Sequence, residues 1–258
     1  MITFINPQYK YLSEQLLHPE QLIARGTLIH RGRNRIYSVQ VDNVNLCIKH
    51  YGMTWLKRFI YRHLRFPKGL RAIQNAISIM EAGLNTPLPV AYIQYDSLWG
   101  IQDSYYICLM EEGQTLYHWG ECMYFDIRNQ LTAFAQFTAR LHESGLMLCD
   151  YTPGNVLIRE NNFTLLDTNR MRRGKVTVRE GLKNMAGLWL LPRSARILAH
   201  EYAVARGEKV TKVYEDLYAE YRRDFWKRFA RRHHLQDHIT HRDLDGSKYT
   251  YNFETTIQ

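Results

Sequence analysis

Three residues in the middle of the chain have types and spacing suited to phosphoryl transfer: Asp150, Asn155 and Asp167. The first two lie in Leu141-His142-Glu143-Ser144-Gly145-Leu146-Met147-Leu148-Cys149-Asp150-Tyr151-Thr152-Pro153-Gly154-Asn155. An apolar run, Phe163 to Leu166, then ends on Asp167. Moving a phosphoryl group requires its negative charge to be neutralised, and Mg²⁺, a hard cation, takes oxygen ligands. The amide oxygen of Asn155 and the carboxylate of Asp167 supply two of them. A separate carboxylate, Asp150, orients an acceptor hydroxyl and takes its proton. The bland alternative is a solvated loop, because Asp, Thr, Pro, Gly and Asn all form turns. The helix expected before this loop, Pro153 within it and the strand-terminal Asp167 after it favour the chemical reading.

A phosphate-binding cation belongs with such a set. Lys49 ends a predicted strand downstream of Gly32, placed to reach the α- and β-phosphates of ATP beneath a hairpin tip. Gly32 and Asn34 at that tip, and Glu111 in the connector Glu111-Glu112-Gly113, complete the candidate nucleotide-binding set. The glycine pattern is weak, since Gly26 and Gly32 do not form G-x-G-x-x-G, and Arg33 and Arg35 could supplement it.

The elements that must position these residues fall into two regions. Leu28-Ile29 closes one predicted strand, Ile36 to Val41 forms a second and Val44 to Lys49 a third, with Asp42-Asn43 as a turn. Residues 53–66 place Trp55, Leu56, Phe59, Ile60 and Leu64 among Lys57, Arg58, Arg62 and Arg65, which predicts a basic amphipathic helix. A second helix is predicted over Gly69 to Ala82, stopping at Gly83 before Pro87 and Pro89. Ala91 to Ile93 and Tyr105 to Met110 read as further strands. Beyond the connector, Ile127, Leu131, Phe134, Thr138 and Leu141 repeat at helical spacing. Val156 to Ile158 and Phe163 to Leu166 form a strand-turn-strand island, and residues 180 to about 235 read as helical. The expected fold is α+β: a strand-rich N-lobe with an antiparallel sheet over 1–111, and a mostly helical C-lobe over 112–258.

Composition narrows the classes. The 258 residues suffice for one large domain or two lobes. The formal net charge of +9 points to an anionic partner: nucleotide, nucleic acid or an acidic membrane surface. No recognised nucleic-acid module is present, so nucleic acid is not expected. Cys47, Cys108, Cys122 and Cys149 form no C-x-x-C pair and read as reduced thiols in a cytosolic protein. The first residues lack the basic start and apolar run of a signal peptide. No apolar stretch approaches the roughly 18 residues of a membrane span. From Asn43 to Met80 there is no Asp or Glu, whereas Lys49, Lys57, Arg58, Arg62, Arg65, Lys68 and Arg71 accumulate. That stretch reads either as a helix with a charged outer face or as an interfacial helix on anionic lipid.

In Asp150-Tyr151-Thr152-Pro153-Gly154-Asn155 and Leu165-Leu166-Asp167-Thr168-Asn169-Arg170-Met171, the chain resembles the lipopolysaccharide-core kinases. That family phosphorylates Kdo or heptose on a protein-kinase-like fold, and the resemblance spans about residues 25 to 190. It implies an ATP- and Mg²⁺-dependent kinase acting on a lipopolysaccharide or lipid A precursor. The expected location is cytoplasmic, peripheral on the inner face of the cytoplasmic membrane. By the same resemblance Lys49 is the phosphate-binding lysine, Asp150 the base, and Asn155 and Asp167 the metal ligands. The family's second motif, Asp-x-Asn/Asp-Arg, replaces the Asp-Phe-Gly of protein kinases.

Three departures qualify the match. Leu148-Cys149 stand where many kinases have His-Arg, and Thr152 replaces the lysine of serine/threonine kinases. Asn75 or Gln74 aligns where the lysine's glutamate partner is usual, with Glu81 at the far end of that helix. The missing glutamate partner and the weak glycine loop keep open a nucleotide-binding pseudokinase; Thr152 weakens a protein-substrate reading, and a kinase acting on protein or another small molecule stands as a further alternative. Two further patterns lead elsewhere. His241-Arg242-Asp243-Leu244 spells a kinase motif, yet Lys248 stands where Asn is needed and too little chain follows. His234, His238 and His241 would share a helical face and could bind a metal, although a solvated basic tail is the simpler reading.

Overall fold

The computed structural model describes residues 1–32, 34–51, 67–97, 100–235, 238–242 and 247–253. The predicted basic helix at 53–66 lies outside them. The chain divides into two compact units: Met1–Ser78 with Thr86–Glu111, and Ile79–Asn85 with Glu112–Gln258.

The first unit is built on an antiparallel six-stranded sheet in the order β1-β5-β6-β4-β3-β2. These strands are β1 Ile2–Ile5, β2 Thr27–Arg31, β3 Arg35–Val41, β4 Val44–Tyr51, β5 Pro89–Ser97 and β6 Gly100–Leu109. The expected hairpins form: β2 turns into β3 around Gly32, and β3 into β4 through Asp42 and Asn43. Central strand β4 is covered on both faces. Leu46 and Ile48 pack with Leu12, Leu16 and Leu22, whereas Cys47 and Tyr51 pack with Ala72 and Ile73. Double coverage explains why β4 shows no clean alternation of polar and apolar residues.

Leu12, Leu16 and Leu22 come from short helical pieces that the sequence reading did not anticipate: a 3-10 segment Pro7–Leu12, α1 Ser13–Leu16 and α2 Pro19–Arg25. Ala72 and Ile73 lie on α3, Lys68–Glu81, which ends at Gly83 in the left-handed region (φ +69°), a conformation that glycine adopts without a Cβ clash.

The second unit is mainly helical. Helix α4, Arg128–Glu143, buries Leu131, Phe134, Thr138 and Leu141 along one face, as its spacing predicts. Around it lie β7 Gln114–Thr115, β8 Leu146–Leu148, β9 Val156–Arg159, β10 Asn162–Leu165 and β11 Met171–Arg173. The region read as continuously helical is three helices: α5 Val178–Met185, α6 Pro192–Ala205 and α7 Lys212–His233. The break between α5 and α6 holds buried Leu188, Trp189 and Leu190. Its exposed-backbone problem is solved by Arg222, which is 3% exposed and donates to the Leu188 carbonyl (2.7 Å), the Leu190 carbonyl (2.6 Å) and the Tyr251 hydroxyl (3.1 Å).

The last described segment corrects the histidine reading. His234 ends α7 in a left-handed conformation, and His238 and His241 lie on strand β12, His238–Arg242, paired with β13, Lys248–Asn252. The three histidines therefore do not share a helical face. His241 stacks on Tyr117 at 3.7 Å instead. The hairpin closes an aromatic cluster of Trp189, Trp226, Tyr251 and Phe253.

Candidate active site

The loop carrying Asp150 begins where α4 stops. Gly145 turns the chain at φ +71°, and β8 follows with Leu146 and Leu148 buried. Tyr151 points inward, 2% exposed, with its hydroxyl 2.8 Å from that of Thr138 on α4. Its neighbour Asp150 is thereby held outward and exposed. Pro153 opens a short 3-10 turn, Pro153–Asn155, whose fixed φ suits the first position.

Asn155 ties the loop together. Its side-chain nitrogen donates to the Asp150 carbonyl (2.8 Å) and to Thr152 Oγ1 (3.3 Å), while its backbone nitrogen donates to the Thr152 carbonyl (3.0 Å). With the amide nitrogen so engaged, the side-chain oxygen points away from these acceptors. The backbone oxygen of Asn155 accepts from Leu166 N at 2.8 Å, which brings the residue before Asp167 alongside.

Asp167 is exposed and takes a left-handed backbone, φ +50°. For a non-glycine residue such a conformation costs on the order of 1 kcal/mol and persists only where its surroundings hold it. Buried Asn169 does part of this, donating its side-chain amide to Asp167 Oδ1. The chain then returns beside the start of the loop: Arg170 O accepts from Cys149 N at 2.9 Å, and Met171 pairs with Leu148 in the β8–β11 ladder. Backbone and amide hydrogen bonds thus tie Asn155 to Asp150 and to Leu166, the neighbour of Asp167, although the three candidates span eighteen positions of sequence. The amide oxygen of Asn155 and the carboxylate of Asp167 are hard-oxygen donors, and their chemistry fits Mg²⁺.

Support from behind the loop went unread in the sequence. His142, 1% exposed on α4, contacts Asn184 Oδ1 through Nε2 (3.3 Å) and the Tyr202 hydroxyl through Nδ1 (2.8 Å). Asn184 Nδ2 donates to the Leu148 carbonyl (2.9 Å), two residues before Asp150. An amide oxygen can only accept, so Nε2 carries the proton and Nδ1 accepts from Tyr202. Burial, with lesser help from Arg206, lowers the His142 pKa to about 4. Burial likewise raises that of Tyr202 to about 12, keeping it a neutral donor. The only sequence hint was position, in the motif quoted around Asp150.

The remaining candidates lie in the first unit. Lys49 is half-buried on β4, opposite Tyr106, with Nζ 5.7 Å from the Tyr51 ring centre. Asn75 is buried on α3 and Gln74 exposed, so Asn75 is the residue that faces inward. Gly32 is exposed, and its nitrogen donates to the Asn34 carbonyl at 3.1 Å. A Cβ on Gly32 would meet only the mobile end of the His30 ring, so the tip has no strong demand for glycine. Glu111 is half-buried just beyond β6. His241 and Arg242 of the discarded motif lie on β12, and 243–246 are outside the described residues. Among the described residues, no group of three His, Cys, Asp or Glu side chains gathers around a metal-sized space.

Solved structures with the same architecture include WaaP in complex with acyl carrier protein, at TM-score 0.56 and 18% identity, covering 88% of this chain and 99% of that one. The shared fold is protein-kinase-like. An aminoglycoside-3'-phosphotransferase of type VIII shares this kinase-like fold at TM-score 0.54 and 12% identity, over 81% of this chain and 97% of the other. No protein-family model and no curated protein matches the sequence. In this kinase-like chain, no described helix is long and apolar enough to cross a membrane.

Proposed function

We propose that this chain is an ATP- and Mg²⁺-dependent phosphotransferase whose acceptor is a sugar hydroxyl of a lipopolysaccharide inner core, Kdo foremost. The reading is supported by one loop network: Asn155 Nδ2 donates to the Asp150 carbonyl, Leu166 N beside Asp167 donates to the Asn155 carbonyl, and Asn169 donates to Asp167 Oδ1. Mg²⁺, when bound, neutralises charge on the transferring phosphate, and Asn155 and Asp167 would hold it. Exposed Asp150 accepts the proton of the acceptor hydroxyl as its oxygen bonds to the γ-phosphorus, with ADP leaving. Lys49 is assigned to the ATP phosphates, with Gly32, Asn34 and Glu111 on the remainder of the nucleotide.

The acceptor class rests on the Asp167-Thr168-Asn169-Arg170 motif. It also rests on fold neighbours that include a phosphotransferase for aminoglycosides, compounds that likewise offer sugar hydroxyls. Action at the cytoplasmic face of the inner membrane, with the basic stretch against anionic lipid, belongs to the same proposal. The test is transfer from labelled Mg-ATP to Kdo-bearing lipid A by the purified protein. Label in the lipid above an Asp150→Ala control supports the reading. Label in neither overturns it, and ATP binding without turnover moves the protein to the pseudokinase class.

A further inference from the structure

Two of the four cysteines, distant in sequence, are direct neighbours. Cys47 on β4 and Cys108 on β6 occupy opposite positions of the antiparallel ladder. Residues facing each other in this way have Cα atoms about 4.5–5.5 Å apart. That falls inside the window of roughly 4.4–6.8 Å that a disulfide spans. Both side chains lie on the sheet face that packs against α3, as do Tyr51 and Tyr106. Lys49 follows Cys47 by two positions and so projects from that same face. Cys47 is partly exposed, whereas Cys108 is 6% exposed.

We propose that Cys47 and Cys108 are a redox modification site, closing to a reversible disulfide when a peroxide reaches Cys47. The chemistry assigns a role to each sulfur. The Cys47 thiolate attacks the terminal peroxide oxygen; its S–O bond forms, the O–O bond breaks, and the expelled alkoxide or hydroxide takes up the proton that the thiol had released, leaving as alcohol or water. Cys108 sulfur then attacks Cys47 sulfur; the S–S bond forms, the S–O bond breaks, and water carries away the Cys108 proton. Two thiols are oxidised by two electrons, and one peroxide is reduced.

The surroundings suit this order. The Cys108 thiol donates to the Cys47 carbonyl at 3.8 Å. The neighbouring Cys108 side chain lowers the Cys47 pKa, against burial and with help from Lys49, whereas Cys47 together with burial raises that of Cys108. The more exposed cysteine is therefore the one favoured as thiolate, and the buried one resolves it. Reduced thiols and a transient disulfide are both expected of a cytosolic redox-sensing pair.

The site borders Lys49, so its effect on nucleotide binding rests on the function proposed above. The test does not. The full chain, reduced and then titrated with hydrogen peroxide, is alkylated under denaturing conditions and mapped by mass spectrometry. The expected result is a linked Cys47–Cys108 peptide pair, two hydrogen atoms lighter than the separate peptides, that vanishes on treatment with dithiothreitol. Cys108→Ser should instead carry sulfenic or sulfinic acid on Cys47, trappable with a sulfenic-acid reagent. Cys47 and Cys108 remaining alkylatable while exposed Cys149 is oxidised would overturn the proposal. So would over-oxidation of Cys47 in the wild-type chain without a cross-link.

Discussion

Mild acid should weaken the second unit through His142, and the size of the effect follows from its burial. The unfolded imidazole has a pKa of 6.5, and the folded one about 4. Because the folded value is the lower, the unfolded state binds the proton first as pH falls. Stability from this residue is complete above pH 6.5 and is lost as pH drops toward about 4. Between about pH 7.5 and pH 5.5 the loss is about 1.3 kcal/mol, growing to roughly 2.5 kcal/mol by about pH 4.5. With a urea m-value of about 2.5 kcal/mol/M, the first step moves the unfolding midpoint by about 0.5 M.

The comparison is with His142→Gln, which keeps a donor for Asn184 and an acceptor for Tyr202 but does not titrate. Urea unfolding of both proteins at the two pH values, followed by tryptophan fluorescence, isolates the difference. Equal midpoint shifts in wild type and variant would refute the reasoning. In that case His142 would not be held neutral by burial.

Three further outcomes are expected. Asn169→Ala removes the donor that holds Asp167, so phosphate transfer should fall by about tenfold or more, with a raised Mg²⁺ requirement and an unchanged fold by circular dichroism. Gly181→Ala places a Cβ against the Tyr202 hydroxyl and His142 Nδ1; thermal unfolding should show a loss of about 1–3 kcal/mol. Arg222→Met strands the Leu188 and Leu190 carbonyls and should cost about 3 kcal/mol in urea unfolding, with increased proteolysis between α5 and α6.

Much of the scaffold was legible because local pattern and final environment agreed. Leu131, Phe134, Thr138 and Leu141 meet one core, so helical spacing found α4. Asp42-Asn43 and Gly83 mark real chain reversals. Asp150, Asn155 and Asp167 stood out in the sequence because phosphoryl-transfer chemistry is tied to residue type and short spacing. Elements set by distant partners were not. The pieces over 7–25 are too short to show a period and are stabilised by packing under the sheet. Strand β12 is polar and five residues long, and its partner and the aromatic cluster beneath it fix its conformation. The His142–Asn184–Leu148 relay joins residues from three elements, and the Cys47–Cys108 pairing depends on strand order. Neither leaves a local trace.

The C-terminal hairpin also bears on how the protein is made. Thr250 N donates to Glu121 Oε1 at 2.7 Å across 129 positions. At synthesis rates of about 5–20 residues per second, Glu121 leaves the ribosome's catalytic centre roughly 6–26 seconds before its partner is polymerised. Trp189 and Trp226 wait shorter times for Tyr251. During translation the nascent second unit therefore presents an uncapped aromatic surface, a binding opportunity for chaperones that closes only when the hairpin emerges.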